Sequence, residues 1–165
     1  QPLLVKNEHH VSTVMETKHV GKTTSKEEQN KEMIHKYFEF HNQKDLQKIE
    51  KMVTTSHRFY FSGMPSMDWN GHKQFLTALF DAFPDIHFTI EDVLAEGDKV
   101  AFRLALTGTH EGVFQGVPRT GKKVSFGGTA IGIIVDGKLE ENRAHADLLG
   151  LMRQLGAIPS PANVT

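Results

Sequence analysis

The sequence predicts an α+β domain, with helices packed on one face of a curled antiparallel sheet. Three observations carry that class. Apolar residues recur at helical spacing through the first half of the chain. From residue 86 onward the period changes to two. A short helical stretch then closes the chain. Helices followed by a strand meander are expected to cover one face of a twisted sheet. A sheet long enough to curl around them leaves a cone-shaped hollow.

Each element has its own signal. Residues 1–24 show no clean periodicity and read as a polar leader or arm; residues 25–160 read as a single domain. "SKEE" at Ser25 is a capping box, in which the hydroxyl accepts from the Glu28 backbone and the Glu28 carboxylate reaches back. Met33, Ile34, Tyr37, Phe38 and His41 then share one helical face. Asp45 is expected to cap a second short helix that turns Leu46, Ile49 and Val53 inward. "HRFYF" (57–61) is aromatic and extended. "SGMPSMDWNG" (62–71) reads as a loop from its Gly, Pro and Asn. A third helix follows with Phe75, Leu76, Leu79, Phe80 and Phe83 on its buried stripe, ending before Pro84.

The strands follow. Ile86, Phe88 and Ile90 alternate with polar residues, and "EGD" (96–98) turns the chain. Val100, Phe102, Leu104 and Leu106 alternate with Ala101, Arg103, Ala105 and Thr107, as in a half-buried strand. "VSFGGTAIGIIV" (124–135) is a long strand, and Asp136-Gly137 a hairpin turn. A two-residue turn and a bulged "VDG" turn place opposite faces of 138–145 inward, so the register stays open. Asp147 is expected to cap a last helix, Leu148–Leu155, closed by Gly156.

Bulk composition excludes several functions. The 165 residues are 38% hydrophobic and 24% charged, with net charge −1. One domain is expected, with no field for nucleic acid and no apolar run long enough to span a membrane. The chain has no cysteine, which excludes disulfides, thiolate metal sites and a Cys nucleophile. Its ten histidines show no tight metal-ligand spacing, so no metal is expected. Gln1 in place of Met suggests a removed leader and an exported protein, with the cytoplasm as the alternative.

"GVPRTGKK" (116–123) lies one residue from a phosphate-binding loop. That loop needs a helix opening directly after it and a Ser or Thr where Lys123 stands. Here a strand follows and Pro118 removes an amide donor. The segment is read instead as a long connection between paired strands.

With its neighbours, that segment resembles a family. "GTHEGVFQGVPRTGKKVSFGG", "VDGKLEE" and "ADLLGLMRQLGAIP" are similar to the SnoaL-like polyketide cyclase or ester cyclase family, within the nuclear-transport-factor-two-like superfamily. The likeness runs from about Lys31 to Pro159. It implies a cone-shaped, cystatin-like α+β barrel with a largely apolar pocket, commonly a homodimer. It also implies ring closure by an intramolecular aldol reaction without metal or cofactor. In such cyclases an Asp on the last strand and a His on the strand before it move the proton. Counted from the shared "DGK" turn, those positions fall on Ala144 and Ala130.

Other side chains are therefore the candidates. His110, His145 and Asp147 are the expected acid–base groups. His110 keeps the inward parity of its strand, with loop anchoring as the alternative. Asp147 has helix capping as its alternative, and His145 a solvent-facing position. Tyr60, Trp69, Phe102 and Phe114 are expected to bind ligand. So are Phe126, Ala130 and Asn142. The expected partner is a hydrophobic small molecule. The alternative is a non-catalytic ligand-binding or protein-interaction domain that has lost the catalytic pair.

Overall fold

The structure, a computed structural model, describes residues 24–161. Residues 1–23, nearly all of the expected leader, lie outside the described residues. Four helices and five strands follow one another: α1 (Lys26–Asn42), α2 (Leu46–Glu50), β1 (Val53–Phe61), α3 (Trp69–Ala82), β2 (His87–Glu96), β3 (Lys99–Thr109), β4 (Lys123–Val135), β5 (Lys138–Ala146) and α4 (Leu148–Gln154). The strands form one sheet in the order β1-β5-β4-β3-β2. The α+β class is as the periodicity predicts. Three of the ladders are antiparallel, and β1 joins the edge of β5 in parallel. The sheet is thus mixed, because β1 comes from the helical half of the chain and returns to the far edge.

Local boundaries differ in three places. Val53 opens β1 rather than closing α2. α3 starts at Trp69, inside the expected loop, because Asp68 Oδ1 accepts from Gly71 N at 2.9 Å and starts the helix there. At α1, Ser25 accepts from Glu28 N at 3.2 Å, but the Glu28 carboxylate pairs with Lys31 instead of completing the box.

The β4–β5 hairpin settles the register. Asp136 and Gly137 have φ of 49° and 75°, the two positive values a two-residue primed turn requires. Val135 pairs with Lys138, and the register then slips between Ile133–Glu141 and Ile134–Leu139. Glu140 is the extra residue. It flips the strand, so Leu139 and then Asn142 are buried while Arg143 is exposed.

The core lies between the sheet and α1 with α3. Ile34, Tyr37, Phe83, Val100 and Leu139 are fully or almost fully buried. Phe38 of α1 packs against Phe88 and Phe102, with ring centroids 5.6 and 5.4 Å away. α1 is also tied to the edge strand β2. Asn42 Nδ2 donates to Phe88 O at 3.0 Å, and Phe88 N donates to Asn42 Oδ1 at 2.7 Å. The side-chain amide thus pairs with β2 as another strand would, and covers part of its open edge. Asn42→Ala should destabilise the fold by roughly 1–3 kcal/mol, because two partly buried backbone groups lose their partner. Urea unfolding should show a lower midpoint at unchanged slope.

Candidate functional site

A cavity of about 90 Å³ lies between the sheet and the helices, and all five strands contribute to its wall. The lining is almost entirely apolar and rich in phenylalanine. Its size suits a small ring and falls short of the ~300 Å³ that larger ligands occupy, so an extended ligand requires the aromatic wall to move.

Small residues make the hollow. Ala130 and Ala144 are direct cross-strand partners and both line it. Gly128 lines it too, and a Cβ there would come within 2.9 Å of the His145 carbonyl oxygen. Gly132, on the same face, is instead filled by Leu139, whose Cδ1 lies 2.8 Å from where its Cβ would be. The alternation therefore leaves space at one end of β4 and core packing at the other.

Five expected ligand-binding residues lie on the wall: Phe102, Phe114, Phe126, Ala130 and Asn142. Tyr60 and Trp69 do not. Strand alternation sends Phe59 and Phe61 to the wall and Tyr60 to the outer face, under the Arg143 guanidinium at 3.9 Å. Trp69 stands behind the wall, edge-on to His72 with centroids 5.6 Å apart.

The expected acid–base groups are not brought together. His110 does point inward and is fully buried, but it is not on the cavity wall. Its Nδ1 lies 2.9 Å from Thr120 Oγ1 and accepts from Thr120 N at 3.3 Å. Its main chain bonds Lys122 and Gly121, so it anchors the 110–122 connection. The connection feeds β4, not a helix, which removes the phosphate-loop geometry. Asp147 is exposed and caps α4 through Gly150 N at 2.8 Å. His145 sits at the cavity rim, exposed, with Nδ1 3.5 Å from Ser62 Oγ and no bond to Asp147. The Glu140 bulge is the reason: it turns Ala144 inward and His145 out.

The buried polar groups on the wall are others. His41, His72, Tyr37 and Asn142 line the cavity, and each is at least nine-tenths buried. Tyr37 Oη and Asn142 Oδ1 have no protein partner. His41 Nδ1 lies 2.7 Å from Tyr37 O, and His72 Nδ1 lies 3.0 Å from His57 Nε2. Burial lowers the pKa of all three histidines. His41 falls to about 4 despite the bond to Tyr37. His72 falls well below its ordinary value, mainly by burial and further by His57 and His41. His57 falls by burial, partly offset by its backbone bond to Leu139. Burial also pushes the Tyr37 hydroxyl well above its ordinary range. Among the described residues, no group of three His, Cys, Asp or Glu side chains is placed to hold a metal.

His72 was legible in principle. It lies four residues before Leu76 on the α3 stripe, at the point where the expected loop gives way to the helix. His57 shares the strand parity of Phe59 and Phe61.

A curled sheet closed by two helices over an apolar hollow defines a nuclear-transport-factor-two-like α+β barrel. Within that class, the chain belongs to the SnoaL-like polyketide cyclase family, whose model matches residues 31–155. It is 45% identical over 62 residues to aklanonic acid methyl ester cyclase DnrD of Streptomyces peucetius, a match covering 36% of this chain and 41% of that protein. The crystal structure of a proposed SnoaL-like polyketide cyclase from Jannaschia sp. CCS1 superposes with a TM-score of 0.76 at 29% identity, over 84% of this chain and 100% of that one. AclR of Streptomyces galilaeus, a proposed hydroxylase, superposes at 0.75 with 28% identity, over 82% and 85% of the two chains.

The three neutral histidines make stability pH-dependent. Below about pH 6.5 the unfolded chain takes up protons that the folded chain refuses, so stability falls as pH drops. For His41 the window runs from its ordinary 6.5 down to about 4. Its shift corresponds to roughly 3 kcal/mol. Unfolding free energy measured across that window should decline steadily, and His41→Leu should flatten the decline by up to one proton.

Proposed function

We propose that the chain binds an apolar, carbonyl-bearing small molecule in the cavity and moves a proton on a carbon beside that carbonyl. This is the chemistry of polyketide ring closure. The observation that carries the reading is the wall itself. A phenylalanine-rich cavity holds a few buried polar heads, two of which, Tyr37 Oη and Asn142 Oδ1, have no protein partner. Such atoms each cost on the order of 1–3 kcal/mol when left unpaired. A ligand oxygen or hydroxyl meeting them recovers that cost, while the rings shed water around the rest of the molecule. Membership of the family and the partial likeness to an ester cyclase support the same reading. An aldol closure makes one carbon–carbon bond and returns the proton it takes, so it balances without a redox cofactor.

A second reading is favoured by the Ala130–Ala144 pair: binding without turnover. Neither methyl group can give up or accept a proton, and the two stand side by side where the family resemblance places the acid–base groups.

Binding is measurable through Trp69, the single tryptophan of the chain. Benzoylacetone, a small aromatic β-diketone, should quench its fluorescence saturably. Ala130→Leu fills the hollow and should weaken that binding at least tenfold while the protein stays folded. Undiminished binding in this variant would place the ligand elsewhere. Conversion of a linear β-keto ester to a cyclic product separates the two readings.

A further inference from the structure

The β1–β5 ladder is broken in one place. Val53 pairs with Leu139 and Arg58 with Glu141, so five residues of β1 advance against two of β5. Thr55 and Ser56 are both exposed in that break. His57 turns inward and its Nδ1 meets the Leu139 carbonyl oxygen at 3.0 Å. A carbonyl oxygen only accepts, so the proton is on His57 Nδ1. In the neutral ring Nε2 is then an acceptor. Its partner at 3.0 Å is His72 Nδ1, which must therefore be the donor. The planes of the two rings are nearly parallel, at 17°. Phe59 stacks on the His72 ring at 3.9 Å and 20° and holds its plane. This chain of bonds leaves His72 Nε2 without a proton, on a ring that forms part of the cavity wall. Nothing in an apolar core requires two linked histidines with one defined tautomer.

We propose that His72 is the proton acceptor of the cavity, taking over the task that Ala130 and Ala144 cannot perform, and that His57 is the positioning residue that keeps His72 Nε2 bare. This deepens the proposed function and rests on the cavity being the ligand site. The step is as follows. His72 Nε2 removes a proton from a carbon flanked by carbonyls. The resulting enolate carbon attacks a second carbonyl of the same molecule and forms a carbon–carbon bond, while the π electrons of that carbonyl move to its oxygen. The imidazolium then returns its proton to that oxygen. Tyr37 Oη is the hydroxyl on the same wall that donates to the enolate oxygen.

His41 is the rival base, since it also lines the cavity with Nδ1 engaged. The difference lies in what stands behind each ring. A proton gained by His41 is backed by one amide carbonyl. A proton gained by His72 is backed by a second imidazole, a stronger acceptor, which is itself backed by the Leu139 carbonyl. The positive charge is thus spread over two rings.

The test uses the whole chain and benzoylacetone. Binding is read by Trp69 quenching, and proton abstraction by deuterium exchange at the central carbon. The wild type should accelerate exchange. His72→Phe, which keeps the stacking on Phe59, should lower the rate at least a hundredfold with the dissociation constant changed less than threefold. His57→Leu should lower the maximal rate at least tenfold without raising the half-saturating concentration. His57→Gln should restore it, because an amide donates with its nitrogen and accepts with its oxygen as this ring does. Nitrogen NMR of the wild-type imidazoles provides a readout independent of any variant: His72 should carry its proton on Nδ1. A proton on Nε2 overturns the proposal. So does exchange that survives His72→Phe, exchange lost only in His41→Leu, or binding with no acceleration at all. Absence of saturable quenching sinks the cavity reading itself, a separate failure.

Discussion

The bond from His57 Nδ1–H to the Leu139 carbonyl is the constraint on which the wall depends. It forms where the parallel β1–β5 ladder is interrupted, and it meets the carbonyl with a side chain at the break. Because the ring closes the break, β1 resumes pairing at Arg58 and delivers Phe59 and Phe61 to the cavity. Because a carbonyl can only accept, the same bond fixes the proton on one side of the ring. Fold and proton inventory are thus set together. An isosteric apolar ring in its place would leave a buried carbonyl unpaired and would transmit nothing to α3.

What the sequence makes legible is what depends on near neighbours. The strand alternation from Val100 to Leu106, the Asp136-Gly137 turn and the α1 stripe all report local backbone preference, and each stands where the pattern places it. The parallel pairing of β1 is different. It joins residues more than eighty positions apart, and no period in β1 itself records its partner. The site shows the same division. Phe102, Phe126 and Ala130 follow from strand parity, whereas Tyr60 is lost by one step of the same alternation. His110 has the right parity, but the loop it anchors uses up its ring. His72 directly follows a stretch, 62–71, whose Gly, Pro and Asn suggest a loop, so it stands at the edge of the expected helix rather than within its stripe. Only the Asp68 cap, a single side-chain bond, makes that stretch a helix.

The family likeness and the chemistry separate at two methyl groups. Ala130 and Ala144 face each other across adjacent strands and both line the hollow, so this pairing leaves open volume where the family resemblance leads one to expect an acid and a base. Of the buried polar groups that remain, Asn142 stands on β5, while His41, Tyr37 and His72 come from the opposite side of the hollow, on α1 and α3. The hollow thus has a sheet wall and a helical wall, and the two differ in the side chains they present. The barrel specifies the enclosure and the low-dielectric surroundings; which wall carries the polar groups is a separate choice.

The Glu140 bulge has a consequence for how such a pocket changes over time. One surplus residue decides that Asn142, Ala144 and Ala146 face the hollow and that Arg143 faces away from it. Loss or gain of a single residue at this bulge would exchange the inner and outer sets of β5 beyond it at once, presenting an arginine in place of an alanine. Substitution edits this wall one side chain at a time, whereas a change of length rewrites it whole. For this architecture, hairpin length is a heritable variable in its own right.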